Sequence, residues 1–467
     1  MEEIVKFIDT IFVTYNEYVG GYALLIMLVP AGVYFAFKFK FLHVTKLGHA
    51  LQVISGKFDK KEDTGDINHF RALTTALSAT VGTGNIVGVA LAIYYGGPGA
   101  IFWMWITGFL GMIHKFVECT LSFKYRKVHE DGSISGGPMY YMELGLKKKL
   151  GGAAKVMAVV FAIATILCSL GTGNMAQSNS ISDVLKTNYN IPVLYTAIAV
   201  AFLVLLVIVG GIKRIAEVTS KLVPFMAVFY FISAITIIIV FFREIPAAFL
   251  LIFKSAFTGT AATGGFIGSV FIITLRYGVA RGLFSNEAGQ GSAAIAHAAA
   301  KTEHPVREGL VASVGPMIDT LIICTLTALV IILTGAWTSG VEGVGMTLAA
   351  FSTGLGRIGL EGLAGHVVTG GLILFAFSTI ISWSYYGTRG AEYLLGEKAI
   401  KPYRYVYGFF VFLGAIGKIE IVWHFVDMVI TFMTIPNLIA ILLLAPVVKK
   451  ETEKYFEFMK TQQLNKE

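Results

Sequence analysis

Apolar residues in this chain occur in long blocks, not in the 3.6-residue stripes of amphipathic surface helices. Blocks of about 15 to 27 residues have the length that an α-helix needs to cross the hydrocarbon core of a bilayer. We therefore predict eleven membrane-spanning helices, with the bounds 20–37, 73–95, 99–123, 156–180, 193–212, 222–242, 264–284, 308–335, 367–387, 403–417 and 421–447.

Composition supports this prediction. Of the 467 residues, 55% are hydrophobic and only 14% are charged, whereas about 25% of an average soluble domain is charged. The chain is therefore predicted to be an all-α polytopic membrane protein. Its 51 glycines are spread along the sequence, and glycine within spans permits close helix packing or broken helices.

Positive charge is distributed unevenly between the two faces of this arrangement. Of the 37 lysines and arginines, 28 lie on one face and 6 on the other. Cytoplasmic loops carry the excess of such residues, so we place the N-terminus outside the cell and the C-terminus in the cytoplasm of a multi-pass cell-membrane protein. The segments on the positive face are 38–71, 124–155, 213–221, 301–307, 389–404 and the region after 448.

Setting aside the first span leaves two groups of five helices with opposite orientation. We divide the chain into an N-terminal extra helix and cytoplasmic loop, a first five-helix repeat, a second and inverted repeat, and a cytoplasmic tail: 1–71, 72–242, 243–447 and 448–467. Inverted repeats are a recurring plan of secondary transporters, whose sites lie at glycine-interrupted helices in corresponding positions of each half.

The first helix of the first repeat has Gly82, Thr83, Gly84 and Asn85 at mid-depth. Glycine costs about 1 kcal/mol relative to alanine in a helix, and Asn and Thr compete with the backbone for hydrogen bonds, so the helix is predicted to unwind here. The corresponding helix of the second repeat, 274–292, is also rich in glycine. The alternative reading is a small-residue packing face.

Unwinding inside a bilayer exposes amide and carbonyl groups, which persist only where a ligand, an ion or water satisfies them. Bare amides at a half-helix N-terminus suit a carboxylate, and bare carbonyls suit an ammonium group or Na⁺. A small amino-acid zwitterion carries both charges. The pattern thus predicts a site for such a substrate at the two breaks.

The chain resembles the alanine or glycine:cation symporters, a branch of the transporters with the LeuT-type 5+5 inverted-repeat fold. Three motifs carry the resemblance: 82–88, Gly96 to Trp105 (GGPGAIFWMW) and Arg281 to Ala293 (RGLFSNEAGQGSA). It covers essentially the whole chain. It implies Na⁺-coupled uptake of alanine or glycine, with Na⁺ as the co-transported ion, no organic cofactor, no nucleic-acid partner and a monomer as the working unit in the lipid bilayer.

The resemblance also implies residue roles. The amides of Thr83 and Gly84 would bind the substrate carboxylate, and the Thr80 carbonyl and Asn85 side chain would bind Na⁺. A second Na⁺ would lie between the Ser78 and Val81 carbonyls of the first broken helix and hydroxyls of the eighth repeat helix. The candidate hydroxyls are those of Ser378, Thr379 and Ser382. The hydroxyls can instead satisfy their own helix.

Further substrate contacts are expected from other helices. Asn174 and Gln177 lie one turn apart on the third repeat helix, where each would either bind the zwitterion or clamp two helices together. The remaining candidates are Thr274 and Gly278 on the second broken helix, and Met175, Phe377 and Trp383 as an apolar wall that would limit substrate size.

Charged residues within spans are costly and are functional candidates by default. Asp319 would serve an ion, the ammonium group or a gate, or would instead form a structural ion pair with an intramembrane Arg or Lys. Arg281 and Glu287, with Arg276, would form a gate network on the cytoplasmic side.

Other functions compete with Na⁺ symport. Proton coupling through Asp319 or Glu287 is the alternative within transport, although an oxygen-rich and mostly non-titratable break favours a hard cation. An intramembrane enzyme is disfavoured because the sequence has no His-Glu-x-x-His motif and no paired catalytic constellation. A pump lacks a Walker A sequence, and a channel does not need two broken helices around one central site.

Overall fold

The computed structural model describes residues 2–60, 62–130, 132–258, 267–417 and 420–464. α-Helix dominates them. The α-helices are α1 (Glu2–Tyr15), α2 (Gly21–Lys38), α3 (Leu42–Thr45), α4 (Leu47–Ile54), α5 (His69–Thr80), α6 (Val87–Gly96), α7 (Ala100–Lys124), α8 (Pro138–Tyr140), α9 (Leu146–Leu150), α10 (Gly152–Leu170), α11 (Ala176–Tyr189), α12 (Val193–Ile208), α13 (Gly211–Val240), α14 (Ile245–Thr258), α15 (Ile267–Asn286), α16 (Ser292–His297), α17 (Pro305–Pro316), α18 (Thr325–Leu333), α19 (Gly343–Gly356), α20 (Ala364–Leu395), α21 (Ile400–Ile416) and α22 (Glu420–Leu464).

Shorter elements join these helices. The π-helical turns are Asn16–Gly20, Tyr141–Gly145, Gly171–Met175 and Met317–Cys324, and the 3₁₀ turns are Thr83–Asn85, Phe242–Glu244, Ala336–Thr338, Glu361–Leu363 and Glu397–Ala399. Strands β1 (Lys127–Val128) and β2 (Ile134–Ser135) form one small antiparallel pair.

Within the described residues, seven helical stretches are long and apolar enough to cross a membrane: Lys6–Lys38, Ala100–Lys124, Gly152–Tyr189, Gly211–Val240, Pro305–Leu333, Glu361–Leu395 and His424–Gln462. Two shorter apolar helices, Val87–Gly96 and Val193–Ile208, accompany them. The described helices are consistent with the eleven predicted spans. The predicted start of the seventh span, residue 264, lies outside the described residues.

The helices follow a five-plus-five order after the N-terminal helix. The first set is α5–α6, α7, α10–α11, α12 and α13, and the second is α15–α16, α17–α18, α20, α21 and α22. The first member of each set is interrupted: the first break separates α5 from α6, and the second break separates α15 from α16. We use these two names below.

The extra helix formed by α1 and α2 packs against α7, α15 and α22. Small residues allow the close approach. A Cβ at Gly32 would lie 2.8 Å from the Leu110 Cβ, and a Cβ at Gly289 would lie 2.4 Å from Leu28 Cδ1. Because apolar side chains gain little from leaving lipid for protein, such close packing is what holds helices together in a bilayer. The N-terminal helix thus contacts the second break directly.

Candidate transport site

The first break is a 3₁₀ turn between two half-helices. α5 ends at Thr80 and α6 begins at Val87. The Gly82 amide donates a hydrogen bond to the Asn85 Oδ1 at 2.9 Å, which fixes the turn from inside. A Cβ at Gly82 would lie 2.6 Å from the Thr379 Oγ1. Glycine therefore lets the break lie directly against α20.

Oxygen atoms from both elements meet at this contact. The Ser378 hydroxyl lies 3.2 Å from the Ser78 carbonyl oxygen and 3.5 Å from that of Val81, and the Thr379 hydroxyl has the same two distances. Ligands of a hard cation lie about 2.3–2.6 Å from it, so two ligands at right angles are about 3.3–3.7 Å apart. The four oxygens are neutral groups of the kind that bind a hard cation, and both hydroxyls also donate to the Phe375 carbonyl of their own helix, at 2.8 Å and 3.0 Å.

Ser382 is on the same face of α20, one turn beyond Ser378 and Thr379. Its Oγ is buried and has no hydrogen-bond partner within the described part of the chain. A buried hydroxyl without a partner is costly, so an unpaired oxygen here is a candidate fifth ligand. Among the described residues, no group of three or more His, Cys, Asp or Glu could hold a metal ion.

Asn85 connects the first break to α15 and to the π-helical turn Met317–Cys324 of the second repeat. Its Nδ2 donates to Asp319 Oδ1 at 2.6 Å and to the Ser285 Oγ at 3.2 Å, and Ser285 donates to Asp319 Oδ2 at 2.6 Å. Thr320 also donates to Asp319, at 2.7 Å. All four side chains are buried. A carboxylate, an amide and two hydroxyls thus converge beside the break.

Gln177 and Asn174 have different positions despite their spacing of one turn. Gln177 Nε2 donates to the Thr83 Oγ1 at 3.1 Å, and the Thr83 amide approaches the Gln177 Oε1 at 3.4 Å. Asn174 Nδ2 instead donates to the Tyr407 carbonyl of α21 at 2.8 Å. A π-helical turn lies just before Gln177 and changes the angular relation between the two side chains. Gln177 reaches the first break, and Asn174 clamps two helices.

The second break lies near the C-terminal end of the predicted segment 274–292. α15 continues to Asn286, and the chain leaves the helix through positive φ angles at Glu287 (54°), Gly289 (85°) and Gly291 (81°). A positive φ is unusual for glutamate. Ser292 and Trp383 hold its carboxylate, donating from Oγ at 2.6 Å and from Nε1 at 3.0 Å.

Two predicted substrate contacts, Thr274 and Gly278, therefore lie in continuous helix away from the break. The Thr274 hydroxyl donates to the Gly96 carbonyl at 2.7 Å. A Cβ at Gly278 would lie 2.5 Å from the Ala100 carbonyl oxygen. Both positions serve helix packing, because glycine and a small hydroxyl permit close contact between α15 and its neighbours.

The predicted apolar wall is only partly formed. Trp383 lies against Gly173, where a Cβ would be 2.3 Å from the indole side chain. Phe377 packs with a separate cluster on α12 and α21. It is about 200° around the helix from Thr379 and so points away from the break. The Thr80 hydroxyl bonds to carbonyls of its own helix, leaving only its own carbonyl for an ion.

Among the described residues, no hydrogen bond or ion pair joins Glu287 to Arg276 or Arg281, the three residues predicted to form a gate network. Arg276 and Arg281 line a cavity on the α15 half of the broken helix, together with the N-terminal helix and α22. Glu287 pairs with Ser292 and Trp383 and not with either arginine among the described contacts. The sequence gives the depth of an arginine on a helix but not the direction of its side chain.

A separate network joins the N-terminal end of α5 to the C-terminal end of α16. These are the ends of the two broken helices that lie away from the breaks. His69 of α5 and His297 of α16 both contact the Glu308 carboxylate. Arg126 donates to the Ala298 and Ala300 carbonyls. Burial lowers the pKa of Arg126 to about 10, which leaves it protonated at neutral pH. These contacts close this end of the protein.

Sequence reasoning missed two site residues. Ser285 is inside the Arg281 to Ala293 motif but was not singled out. Thr327, on α18, donates to the Asn85 carbonyl at 2.7 Å and had no signal beyond a lone hydroxyl in a span. The spacing of Asp319 and Thr327, eight residues on one helical face, was the available clue to Thr327.

The sodium:alanine symporter family matches residues 5–467. The chain belongs to this family. A sodium/alanine symporter, AgcS, of Methanococcus maripaludis is 42% identical over 97% of this chain and 98% of its own length. A probable sodium/glutamine symporter, GlnT, of Bacillus subtilis is 36% identical over 94% of this chain and 89% of its own.

Two solved structures are similar to this chain in fold. MhsT in complex with L-phenylalanine has a TM-score of 0.57 at 14% identity, covering 82% of this chain and 90% of MhsT. A Na⁺-coupled sialic acid symporter in an outward-open state has a TM-score of 0.53 at 12% identity, covering 92% of this chain and 98% of its own. The family and the fold are those of membrane transporters, and the predicted LeuT-type architecture is confirmed.

Proposed function

We propose that this protein takes up a small neutral amino acid, alanine or glycine, together with Na⁺ by alternating access. The observation that carries the proposal is the set of oxygens where the first break meets α20. The family is named for sodium and alanine, and relatives are named as sodium symporters of alanine and of glutamine. Sodium is thus the expected co-transported ion.

The proposed Na⁺ ligands form two groups. One group is the carbonyls of Ser78 and Val81 with the hydroxyls of Ser378, Thr379 and Ser382. The other is the Asn85 side chain with the Thr80 carbonyl, to which the geometry adds Asp319 and Ser285. A carboxylate in the second group supplies a full negative charge to an otherwise neutral oxygen set, which favours a monovalent cation over an empty site.

The substrate is proposed to bind beside these ions. Amides of Thr83 and Gly84 would hold the carboxylate, and Gln177, already in contact with Thr83, would orient it. Trp383 would form the wall that limits the side chain to a methyl group or less. Its indole is fixed between Gly173 and the Glu287 carboxylate, so it has little freedom to move aside.

The two repeats that would move against each other during transport are proposed to be residues 72–242 and 243–447. The N-terminus is proposed to lie outside the cell and the C-terminus in the cytoplasm. Inward Na⁺ movement supplies about 2.3 kcal/mol per elementary charge per 100 mV. The monomer has both broken helices and both ion sites, so it is proposed to be the working unit.

Purified protein in proteoliposomes tests the coupling ion. Labelled alanine and glycine uptake is measured with a Na⁺ gradient alone and with an H⁺ gradient alone. Uptake driven by Na⁺ and abolished by replacing Na⁺ with choline supports the proposal. Uptake driven by the H⁺ gradient without Na⁺ would make the protein proton-coupled, with Asp319 or Glu287 as the candidate titrating group.

Ser382→Ala tests the ion site at α20, with Ser384→Ala as the matched control. Both serines are buried on α20, but the Ser384 hydroxyl already donates to the Ile381 carbonyl at 2.6 Å. Ser382→Ala should raise the Na⁺ concentration for half-maximal uptake severalfold, and Ser384→Ala should not. Equal effects in both variants would remove Ser382 from the ligand set.

A further inference from the structure

A cavity of about 220 Å³, lined by both charged and apolar residues, lies between the N-terminal helix, α15 and α22. That volume greatly exceeds the roughly 10–15 Å³ needed for one water. Two of its lining residues are Glu17, which is exposed on the N-terminal helix, and Gln290, which is buried at the second break. The cavity therefore extends from an exposed residue toward the second break.

Arg276 is part of the cavity wall, and contacts with the N-terminal helix hold its guanidinium in place. Its Nη2 donates to the Asn16 carbonyl at 3.4 Å, and its guanidinium lies 5.6 Å from the ring centre of Tyr22. A Cβ at Gly21 would lie 3.0 Å from the Arg276 Nε. Glycine in the N-terminal helix thus leaves room for this guanidinium, and the carbonyl and ring on the same helix hold it in place.

Arg281, five residues further along α15, is less completely satisfied. Its Nε is buried and has no hydrogen-bond partner within the described part of the chain. Arg281, His424 and Asp427 all line the cavity, and the His424 Nδ1 lies 2.7 Å from the Asp9 Oδ1. A buried guanidinium nitrogen without an acceptor is costly, and a carboxylate is the acceptor that it prefers.

We propose that this cavity is an outer binding site for the zwitterion of a small amino acid, occupied before the central site is reached. The inference rests on the proposed function, because it takes the same substrate. Arg281, with Arg276, would receive the carboxylate, and Asp427 and Glu17 would face the ammonium group. Two guanidinium groups and two carboxylates offer partners for both charges of a zwitterion, whereas an inorganic anion would also meet both carboxylates.

The N-terminal helix then has a function as one wall of this site. Its Leu28 lies against Gly289 in the second break, and Gln290 in the same break lines the cavity. A ligand held by Arg281 is therefore beside the segment that must rearrange to admit it. Without this helix, the guanidinium of Arg276 would lose both the Asn16 carbonyl and the Tyr22 ring.

Initial rates of alanine uptake in proteoliposomes test the proposal. The variants are Arg281→Gln, Asp427→Asn and Arg281→Lys, and the control is Arg243→Gln, which alters an exposed arginine in a 3₁₀ turn. We expect KM to rise about tenfold in Arg281→Gln and severalfold in Asp427→Asn, with kcat nearly unchanged, because each loses a charge-assisted contact. Arg281→Lys should recover part of the affinity, and the control should match the wild type.

Each outcome decides a separate point. Wild-type protein without uptake of alanine or glycine refutes the proposed function itself. Wild-type uptake with unchanged KM in Arg281→Gln and Asp427→Asn refutes only the outer site. An Arg281→Lys variant that is monodisperse but as impaired as Arg281→Gln would make the arginine structural. If replacing chloride by gluconate shifts KM in the wild type but not in Arg281→Gln, the cavity binds an inorganic anion, and the proposal is wrong.

Discussion

Gly82→Ala should weaken Na⁺ activation of transport without unfolding the protein. The φ of Gly82 is −137°, which lies in the extended region that alanine also adopts, so the backbone is not strained. The added Cβ would instead lie 2.6 Å from the Thr379 Oγ1 and 3.5 Å from the Gln177 Oε1. The first contact is far too short, and it involves a proposed ion ligand.

The magnitude follows from this overlap. Inserting a methyl group into a well-packed site costs about 1–3 kcal/mol, which corresponds to about 5- to 150-fold in an equilibrium constant. We expect the Na⁺ concentration for half-maximal alanine uptake to rise within that range. Gly88→Ala is the matched control, because it lies in α6 of the same broken helix and its Cβ would have no neighbour within 4 Å.

A double-mutant cycle identifies the cause. If the overlap with the Thr379 hydroxyl is responsible, Gly82→Ala should cost much less in a Thr379→Ala background than in the wild type. The assay is Na⁺-dependent uptake in proteoliposomes, with Na⁺-induced thermal stabilisation of the detergent-solubilised protein as a second readout. Wild-type Na⁺ activation in a folded Gly82→Ala variant would refute the placement of the ion site.

Three further variants separate transport contacts from packing contacts. Gln177→Ala should raise KM for alanine about tenfold through loss of its contact with the break, measured as uptake rate against alanine concentration. Asn174→Ala should leave KM unchanged but lower the thermal midpoint, because it loses about 1 kcal/mol of clamp to α21; a KM effect without destabilisation would reverse this assignment. Gly278→Ala should lower the thermal midpoint or the yield, since its Cβ would lie 2.5 Å from the Ala100 carbonyl oxygen, and a fully stable variant would show that α15 can shift there.

Much of the candidate site could be predicted because its polar residues lie in short segments of the sequence. The glycine, threonine and asparagine run from Gly82 to Asn85 predicted a break, and the break is present. Ser378, Thr379 and Ser382 share a helical face whatever the rest of the protein does, because that relation follows from 3.6 residues per turn. In the folded chain, the Ser378 and Thr379 hydroxyls contact the Ser78 carbonyl of α5, just before the first break.

Errors occurred where one helix could be rotated or interrupted in more than one way. The second broken helix has many glycines, and sequence alone did not show that the chain would leave the helix at Glu287 and not at Gly278. A π-helical turn changed the direction of Asn174 relative to Gln177. Phe377 was predicted to be part of the apolar wall, but it packs with another cluster.

The sequence by itself determined that this protein spans a membrane, that its two halves are inverted and that one helix in each half is interrupted, because span length, charge distribution and glycine cost are local properties. Only the tertiary structure decided which side chains meet. Asn85 contacts Asp319 across 234 positions of sequence, and the N-terminal helix forms a cavity with α15 and α22. Such contacts depend on how helices pack and rotate against one another, which no single segment specifies.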